Sequence, residues 1–441
     1  MKRLLPLLLC AVLALFCATT AQAAGVSITL TASEYALHYA FDAGAQDPFV
    51  ILEYATPAEK GWMMLYSADG HFEGDVSLAY SGAGGKTSVA LTSARTTGSI
   101  GKASTTLPKA ADYQKPTGKS NAKVMDFVLT ETPEGFHYAF NAAGTDYMLL
   151  YWRSKEQTVT QPVYPDENGH YEGDVISNLT FARTQFTVQV KSGSGSMKKE
   201  ATVRKGYQAP EAPQRQEGRL SGVTVCIDAG HQENGRFVNE PIGPGLSGST
   251  SGKGGMAQGT KTNRRESIVC LEIGMLLRDE LLRQGANVIM TREDQTTFHT
   301  NIERCEIAEA GGAQIMLRLH CNNSSNRSKR GIQVYGPLNS DYAKAVADAD
   351  TYREMGQKLL DAMKTRVGMT LANSTGMVRL NDNYVGNNWA KMMCFLVEMG
   401  YLSNPSEEYL LVTPVYQQWL AEGMADGVYE IAVARGWVQA Q

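Results

Sequence analysis

The first half of the chain carries one pattern twice. "LHYAFDAG" at 37–44 returns as "FHYAFNAA" at 136–143, and "DGHFEGDV" at 69–76 returns as "NGHYEGDV" at 168–175. His38 and His137 stand 99 residues apart, as do His71 and His170. Near the end of each copy the offset falls to 94, between Tyr113 of "DYQKP" and Tyr207 of "GYQAP". Two copies of this length are too few and too long for a solenoid, so the duplication calls for two similar small domains in tandem. Their short alternating runs, such as "VSITLTA" and "FTVQVKS", are rich in Val, Thr and Phe and are broken by Gly, Asp and Asn. That pattern predicts Ig-like β-sandwiches over 24–116 and 122–210. The Asp-Gly of "DGHFEGDV" predicts a hairpin turn.

Four of the seven histidines lie at paired positions in these repeats. A ligand site in each copy is one reading. Half-buried strand residues inherited by duplication are the other, and it is preferred because no second ligand type clusters with them. Trp62, Tyr66 and Trp152 suit either sugar stacking or a core or strand edge. Residues 211–219, "EAPQRQEGR", have no periodic apolar positions and predict a linker. The last domain is expected over 220–441.

Lys2 and Arg3, the apolar run "LLPLLLCAVLALFCA" and "AQA" at 21–23 predict a secretory signal over 1–23, cleaved after Ala23. A retained anchor is the rival. No later run is long and apolar enough to span a bilayer. The expected location is outside the cytoplasm: secreted, in the cell wall or periplasm. The formal net charge of −4 argues against nucleic acid as a partner. Beyond the signal remain Cys226, Cys270, Cys305, Cys321 and Cys394; an odd number leaves at least one thiol unpaired, and no C-x-x-C pair suggests zinc.

The final segment alternates strand and helix. "VTVCI", "NVIMT", "QIMLRLH", "GIQVYG" and "MCFLVE" read as strands. Helical spacing covers Arg264 to Gln284, "NIERCEIAEAG", about Tyr342 to Arg366, and a closing helix opened by Pro414. This predicts an α/β domain with a twisted, mostly parallel sheet flanked by helices. Sites in such sheets form beyond the carboxyl ends of strands. His231 follows the first strand through Asp228, Ala229 and Gly230. His320 ends the "IMLRLH" strand, and Glu398 ends "MCFLVE". Glu266 opens the long helix; Asn263-x-x-Glu266 also fits a capping box, and spacing alone favours the cap. If the four met, two imidazoles and one carboxylate would hold Zn²⁺ with a position left for water, and a second carboxylate would move protons. That set suffices for amide hydrolysis.

The segment from Leu220 to Trp437 resembles the zinc-dependent N-acetylmuramoyl-L-alanine amidases of the type-3 family. The resemblance rests on "IDAGHQ", "NRRES…LEIGMLLRDELLRQGANVIMTRE", "NIERCEIAEAGGAQIMLRLHCNN", "GIQVYG" and "FLVEMGYLSNPSEEYLL". It implies one Zn²⁺ per chain on His231, Glu266 and His320, with Glu398 catalytic. It also implies cleavage of peptidoglycan between the lactyl group of N-acetylmuramic acid and L-alanine, and it brings Glu266 back into the site. Arg318 stands where the family commonly has Ser. Arg318 should share the face of His320 and either bind a substrate carboxylate or pair with a site carboxylate. Asn322 is a further expected substrate contact, and the long Gly-rich loop 232–262 with "EPIGPG" either shapes the groove or stays flexible. Wall binding through the repeats stands beside spacer and protein-binding uses. Rivals are a cysteine peptidase using Cys321, a non-catalytic wall-binding protein, and a zinc carboxypeptidase or endopeptidase on the same polymer.

Overall fold

The structure, a computed structural model, describes residues 19–440 apart from 23–25, 33–35, 58–59, 78–83, 95–97, 110–123, 133–134, 144–147, 154–157, 164, 177–183, 193–196, 206–209, 233–237, 251–254 and 369–377. Most of the expected signal and both Tyr-Gln repeat ends lie outside the described residues. The chain divides into two compact units, Met1–Thr117 and Gly118–Gln441.

The first unit holds two antiparallel sheets. β1 (Thr19–Gln22), β2 (Ser27–Ala32), β3 (Ala36–Asp42) and β6 (His71–Ser77) form one, in that order. The other runs β5 (Lys60–Tyr66), β4 (Phe49–Ala55), β7 (Gly85–Ser93), β8 (Ser99–Leu107). β1 falls within the segment read as the signal. Alternate side chains of both sheets, among them Leu30, Leu37, Phe41 and Val76 with Leu52, Val89 and Leu91, share one core. The second repeat reproduces this in β9 (Val124–Thr132), β10 (Gly135–Ala142) and β13 (His170–Ile176), against β11 (Met148–Arg153), β12 (Thr158–Val163), β14 (Thr184–Ser192) and β15 (Met197–Lys205).

One expectation fails here. Gly70 does turn the chain, with φ +82, but β5 and β6 on its two sides belong to different sheets, so this is a crossing between layers and not a hairpin. A two-residue signal reports the turn and cannot report which strand comes next to which. The repeated "EGDV" has a packing cause: Gly74 and Gly173 lie opposite Tyr39 and Tyr138, and a Cβ on either glycine would stand 2.7 Å from the tyrosine hydroxyl.

The repeat histidines line the outer faces. His38 meets Glu73 and Asp75 while His71 meets Asp42 and Glu73; His137 and His170 meet Glu172 and Asp174, or Asn141 and Glu172, in the same way. Carboxylates therefore do cluster with these histidines, contrary to the expectation, but among the described residues their donor atoms do not converge closely enough to share a metal ion.

The rest of the second unit is α/β. Its elements are β16 (Thr224–Ala229), α1 (Glu266–Arg283), β17 (Asn287–Met290), α2 (Asn301–Ala310), β18 (Ile315–Asn322), β19 (Gln333–Gly336), α3 (Asp341–Val346), α4 (Ala349–Val367), β20 (Val378–Leu380), α5 (Val385–Trp389), β21 (Met393–Tyr401), α6 (Glu407–Leu411) and α7 (Pro414–Ala434). The sheet order is β17-β16-β18-β21-β19-β20. The first four strands are parallel; β19 runs antiparallel to β21 and parallel to β20, so the sheet is mixed. On one face Gly274 of α1 packs on Ile227 and Leu319, and Tyr352 of α4 meets Phe395 edge-on at 5.9 Å. On the other, Cys226, Met316 and Cys394 pack with Cys305 and Ala308 of α2. The stretch expected as one helix near 342–366 is two, because Ala347 is extended and Asp348 caps α4 by accepting from Thr351 N.

The stretch expected as a linker is tied to this domain. Arg215 Nη1 donates to Gly285 O at 2.7 Å, Gln216 N to Leu282 O at 3.0 Å, and Arg219 pairs with Gln284 and Asp426. Among the described residues no helix is long and apolar enough to cross a membrane.

Candidate active site and metal centre

Parallel pairing sets the site. β18 and β21 place His320 directly beside Glu398, and Gln333 of β19 lies on the other side of Glu398. Side chains in register on neighbouring strands share a face. Arg318, two residues before His320, therefore shares its face, as expected.

β16 ends beside them, and three of the four residues after Ile227 each have a distinct task. Asp228 is fully buried and accepts from Thr291 Oγ1 at 2.8 Å, from Arg318 Nε at 2.9 Å and from Arg304 Nη1. Burial opposes its charge, but the two guanidiniums outweigh that and hold its carboxyl far below the usual range. Arg318 thus pairs with a carboxylate of the protein. Gly230 lies on the His320 ring, where a Cβ would come within 2.6 Å of Cε1. His231 turns back in the left-handed region, φ +58, which brings the two imidazole centroids to 4.8 Å.

Glu266 completes the group from α1. It occupies the first helical position; Arg265 holds the cap position, no side chain caps the helix there, and the Asn263 capping box does not form. Asn263 is itself left-handed, φ +54, which turns it away from the extended cap conformation. Instead Glu266 Oε1 lies 3.0 Å from His320 Nδ1 and accepts Cys321 N, while Oε2 lies 3.1 Å from His231 Nε2 and accepts Ala257 N. Burial works against its ionisation, yet the two histidines hold its carboxyl well below the usual range.

His231, Glu266 and His320 offer donor atoms that all lie within 4.8 Å of one another. Burial holds His320 below the ordinary histidine range, in the neutral form a metal requires. His320 Nε2 and Glu398 Oε2 are buried and meet no hydrogen-bonding group among the described residues. Burial first, and the charge of Glu266 second, push the Glu398 carboxyl well above its usual range. Two imidazoles, one carboxylate and nearby orphaned polar atoms fit a dication of the zinc type.

The site opens into a cleft of about 720 Å³. Asn322 lines it and donates to Gln333 Oε1 at 3.1 Å. Tyr384 lines it too and packs edge-on with Tyr335 at 5.1 Å. Glu240 of "EPIGPG" is buried at the rim and accepts from Asn301 Nδ2 and Ile302 N, so this part of the long loop is fastened to the start of α2. Cys321 points the opposite way from His320. All five cysteines are buried and free, and burial raises the thiols of Cys226, Cys321 and Cys394 far up and that of Cys305 to about 12. Their burial leaves no accessible thiol for nucleophilic attack among the described residues.

Residues 225–430 match the family model described as N-acetylmuramoyl-L-alanine amidase. The C-terminal segment belongs to that family, the type-3 amidases. The germination-specific N-acetylmuramoyl-L-alanine amidase of Bacillus subtilis is 27% identical over 231 residues, which is 49% of this chain and 83% of that protein. A probable cell wall amidase, LytH, of Staphylococcus aureus is 27% identical over 218 residues, 48% of this chain and 60% of that protein. The apo crystal structure of the amidase Ami1 from Mycobacterium abscessus aligns at TM-score 0.44 and 21% identity, covering 48% of this chain and 99% of that one. Family members are generally zinc-dependent, in keeping with the His-Glu-His group of this type-3 domain.

The sequence overlooked Arg292 and Arg304, both buried beneath the site. They sit in the "MTRE" and "N-x-E-R" segments that carried the resemblance; an arginine within each of those motifs was the available signal. Gln333 and Tyr384 gave none.

Proposed function

We propose that this chain is a secreted peptidoglycan hydrolase that cleaves the amide between N-acetylmuramic acid and L-alanine. His231, Glu266 and His320 would hold one Zn²⁺. Bound there, zinc would supply a Lewis acid for the amide carbonyl, an acidified water, and the positive charge that lets the buried Glu398 ionise. Glu398 then takes the proton from the attacking water and delivers it to the departing L-alanine nitrogen. Glu266 keeps both imidazoles oriented through its two oxygens, and Asn322 stands at the cleft wall for a hydrogen bond to the stem peptide or sugar. Arg318 lines the cleft with its guanidinium bonded to Asp228 and Asn301, and so holds the shape of the cleft wall.

The observation that carries this reading is convergence. Donors from the turn after β16, from α1 and from β18 meet within 4.8 Å, and Glu398 lies beside His320 in strand register with a buried oxygen that nothing described satisfies. The Ig-like identity of the repeats, secretion with loss of residues 1–23, the domain limits and wall binding belong to the same proposal. Cleavage after Ala23 would remove β1, leaving β2 as the sheet edge.

The test is digestion of purified peptidoglycan, with and without a zinc chelator, followed by mass analysis. The expected products are free lactyl carboxylates on the glycan and peptides beginning with L-alanine, both abolished by chelation. New termini inside the stem peptide would instead identify a carboxypeptidase or endopeptidase.

A further inference from the structure

Two buried arginines converge on three successive carbonyls. Arg292 Nε donates to Ala229 O at 2.7 Å and its Nη2 to Gly230 O at 2.9 Å. Arg304 Nη1 donates to Ala229 O at 3.0 Å and its Nη2 to His231 O at 3.2 Å. Each guanidinium is also anchored elsewhere. Arg292 reaches Ser267 O, one residue past Glu266, at 2.7 Å, and Asp294 O at 2.8 Å. Arg304 reaches Asp228, Gln232 Oε1 and His299 O.

The clamped turn needs restraint. A left-handed histidine is strained relative to an ordinary backbone. Leaving the buried carbonyls of Ala229 and Gly230 without donors would add a second cost. The forks remove the second cost and offset the first. They also link the elements: through Ser267 O, Arg292 ties the start of α1, which carries Glu266, to the turn that carries His231. Gly230 lies on the ring of His320, so the turn's position also sets the spacing of the two imidazoles.

We propose that Arg292 and Arg304 are positioning residues that preorganise His231 and Glu266 for the metal. Arg304 reaches the cleft wall and Arg292 does not, but both guanidiniums are engaged by the protein's own oxygens. The proposal rests on the zinc assignment above. Lysine cannot replace either residue, because one ammonium cannot span carbonyls that a planar fork joins.

The experiment measures zinc affinity of the metal-stripped full chain by competition with a chromophoric chelator, alongside its thermal unfolding. The variants are Arg292→Lys, Arg304→Lys and, as control, Arg278→Lys. Arg278 is equally buried but bonds Asp279 and Pro210 O, away from the site. The two clamp variants should bind zinc about 10–100-fold more weakly, the usual effect of losing an outer-shell partner. The control should lose thermal stability and keep its zinc affinity. If a clamp variant does not fold, Gln232→Ala decides: it releases one anchor of Arg304 at the cleft edge and should weaken zinc severalfold. Unchanged affinity in the folded clamp variants, or in Gln232→Ala, would overturn the proposal, as would an equal loss in the control. A wild-type chain that takes up no zinc would overturn the metal assignment and this inference with it; wild-type uptake with unaffected variants would overturn the clamp alone.

Discussion

Replacing Glu398 by glutamine keeps the side chain's size and removes its proton acceptor. Turnover should fall by roughly 10²–10⁴-fold while zinc content stays at the wild-type level. If zinc leaves with this change, Glu398 is a ligand, and its role must be exchanged with that of Glu266. The contrast between these two glutamates also shows what single residues disclose. Glu398 and His320 were readable because each closes an apolar run of the sequence; the strands themselves run on to Asn322 and Tyr401, and parallel pairing sets the two side by side. Glu266 was not, because its spacing from Asn263 fits a helix cap equally well. Its real partners, Ala257 N and Cys321 N, come from a loop and a strand that no local pattern connects. Asp228 is similar: its two arginines lie 76 and 90 residues further along the chain.

Elements were legible where the chain writes its own boundaries. α1 stops at the expected Gln284, its C-cap, before Gly285 with φ +95; Gly285 N donates to Leu282 O and Ala286 N to Leu281 O, closing the helix end. A capping box does exist, one helix later: Thr300 and Glu303 cap α2 reciprocally. What local reading cannot supply is strand order, and so the antiparallel sense of β19 emerges only from the fold. α6 offers a test of how tightly elements are joined here. Glu407 at its start accepts Gly331 N and Tyr401 N, both at 2.8 Å, and so links the approach to β19 with the end of β21. Burial pushes its carboxyl up to about 7, against the pull of those two amides and Arg330. The folded state therefore holds a proton that the unfolded chain releases near pH 4.5. The stability this group contributes is present below pH 4.5 and lost as pH rises to about 7, up to about 3 kcal/mol. Glu407→Gln should lack that decline. The difference in unfolding free energy between variant and wild type should therefore change in the variant's favour between pH 4.5 and 7.5, and a difference constant with pH would refute the buried-acid account.

At the scale of the whole molecule, duplication made the first half readable as two like domains, and the shared core of two sheets in each copy has its physical cause in alternating strands. The boundary before the α/β domain was less readable, because "EAPQRQEGR" has linker composition yet spends its polar groups on the C-terminus of α1 and on Asp426 of α7. The minimal catalytic fragment should accordingly begin at Pro210, and one beginning at Leu220 should melt at lower temperature for want of Arg215, Gln216 and Arg219. All four candidate site residues lie beyond that boundary. Fragment 210–441 should therefore cleave soluble muropeptide about as fast as the full chain. Insoluble wall is a different substrate. If the repeats bind it, they raise the enzyme's local concentration at the polymer without altering its chemistry. The fragment should then need more protein than the full chain for equal lysis, and residues 24–210 alone should sediment with wall material. Soluble repeats in the pelleting assay, together with equal wall lysis by both proteins, would remove wall binding and leave spacing or protein contact as the use of the duplication. Loss of activity on soluble muropeptide by a folded 210–441 would be the more damaging result, because it would mean that the repeats contribute to the active site itself.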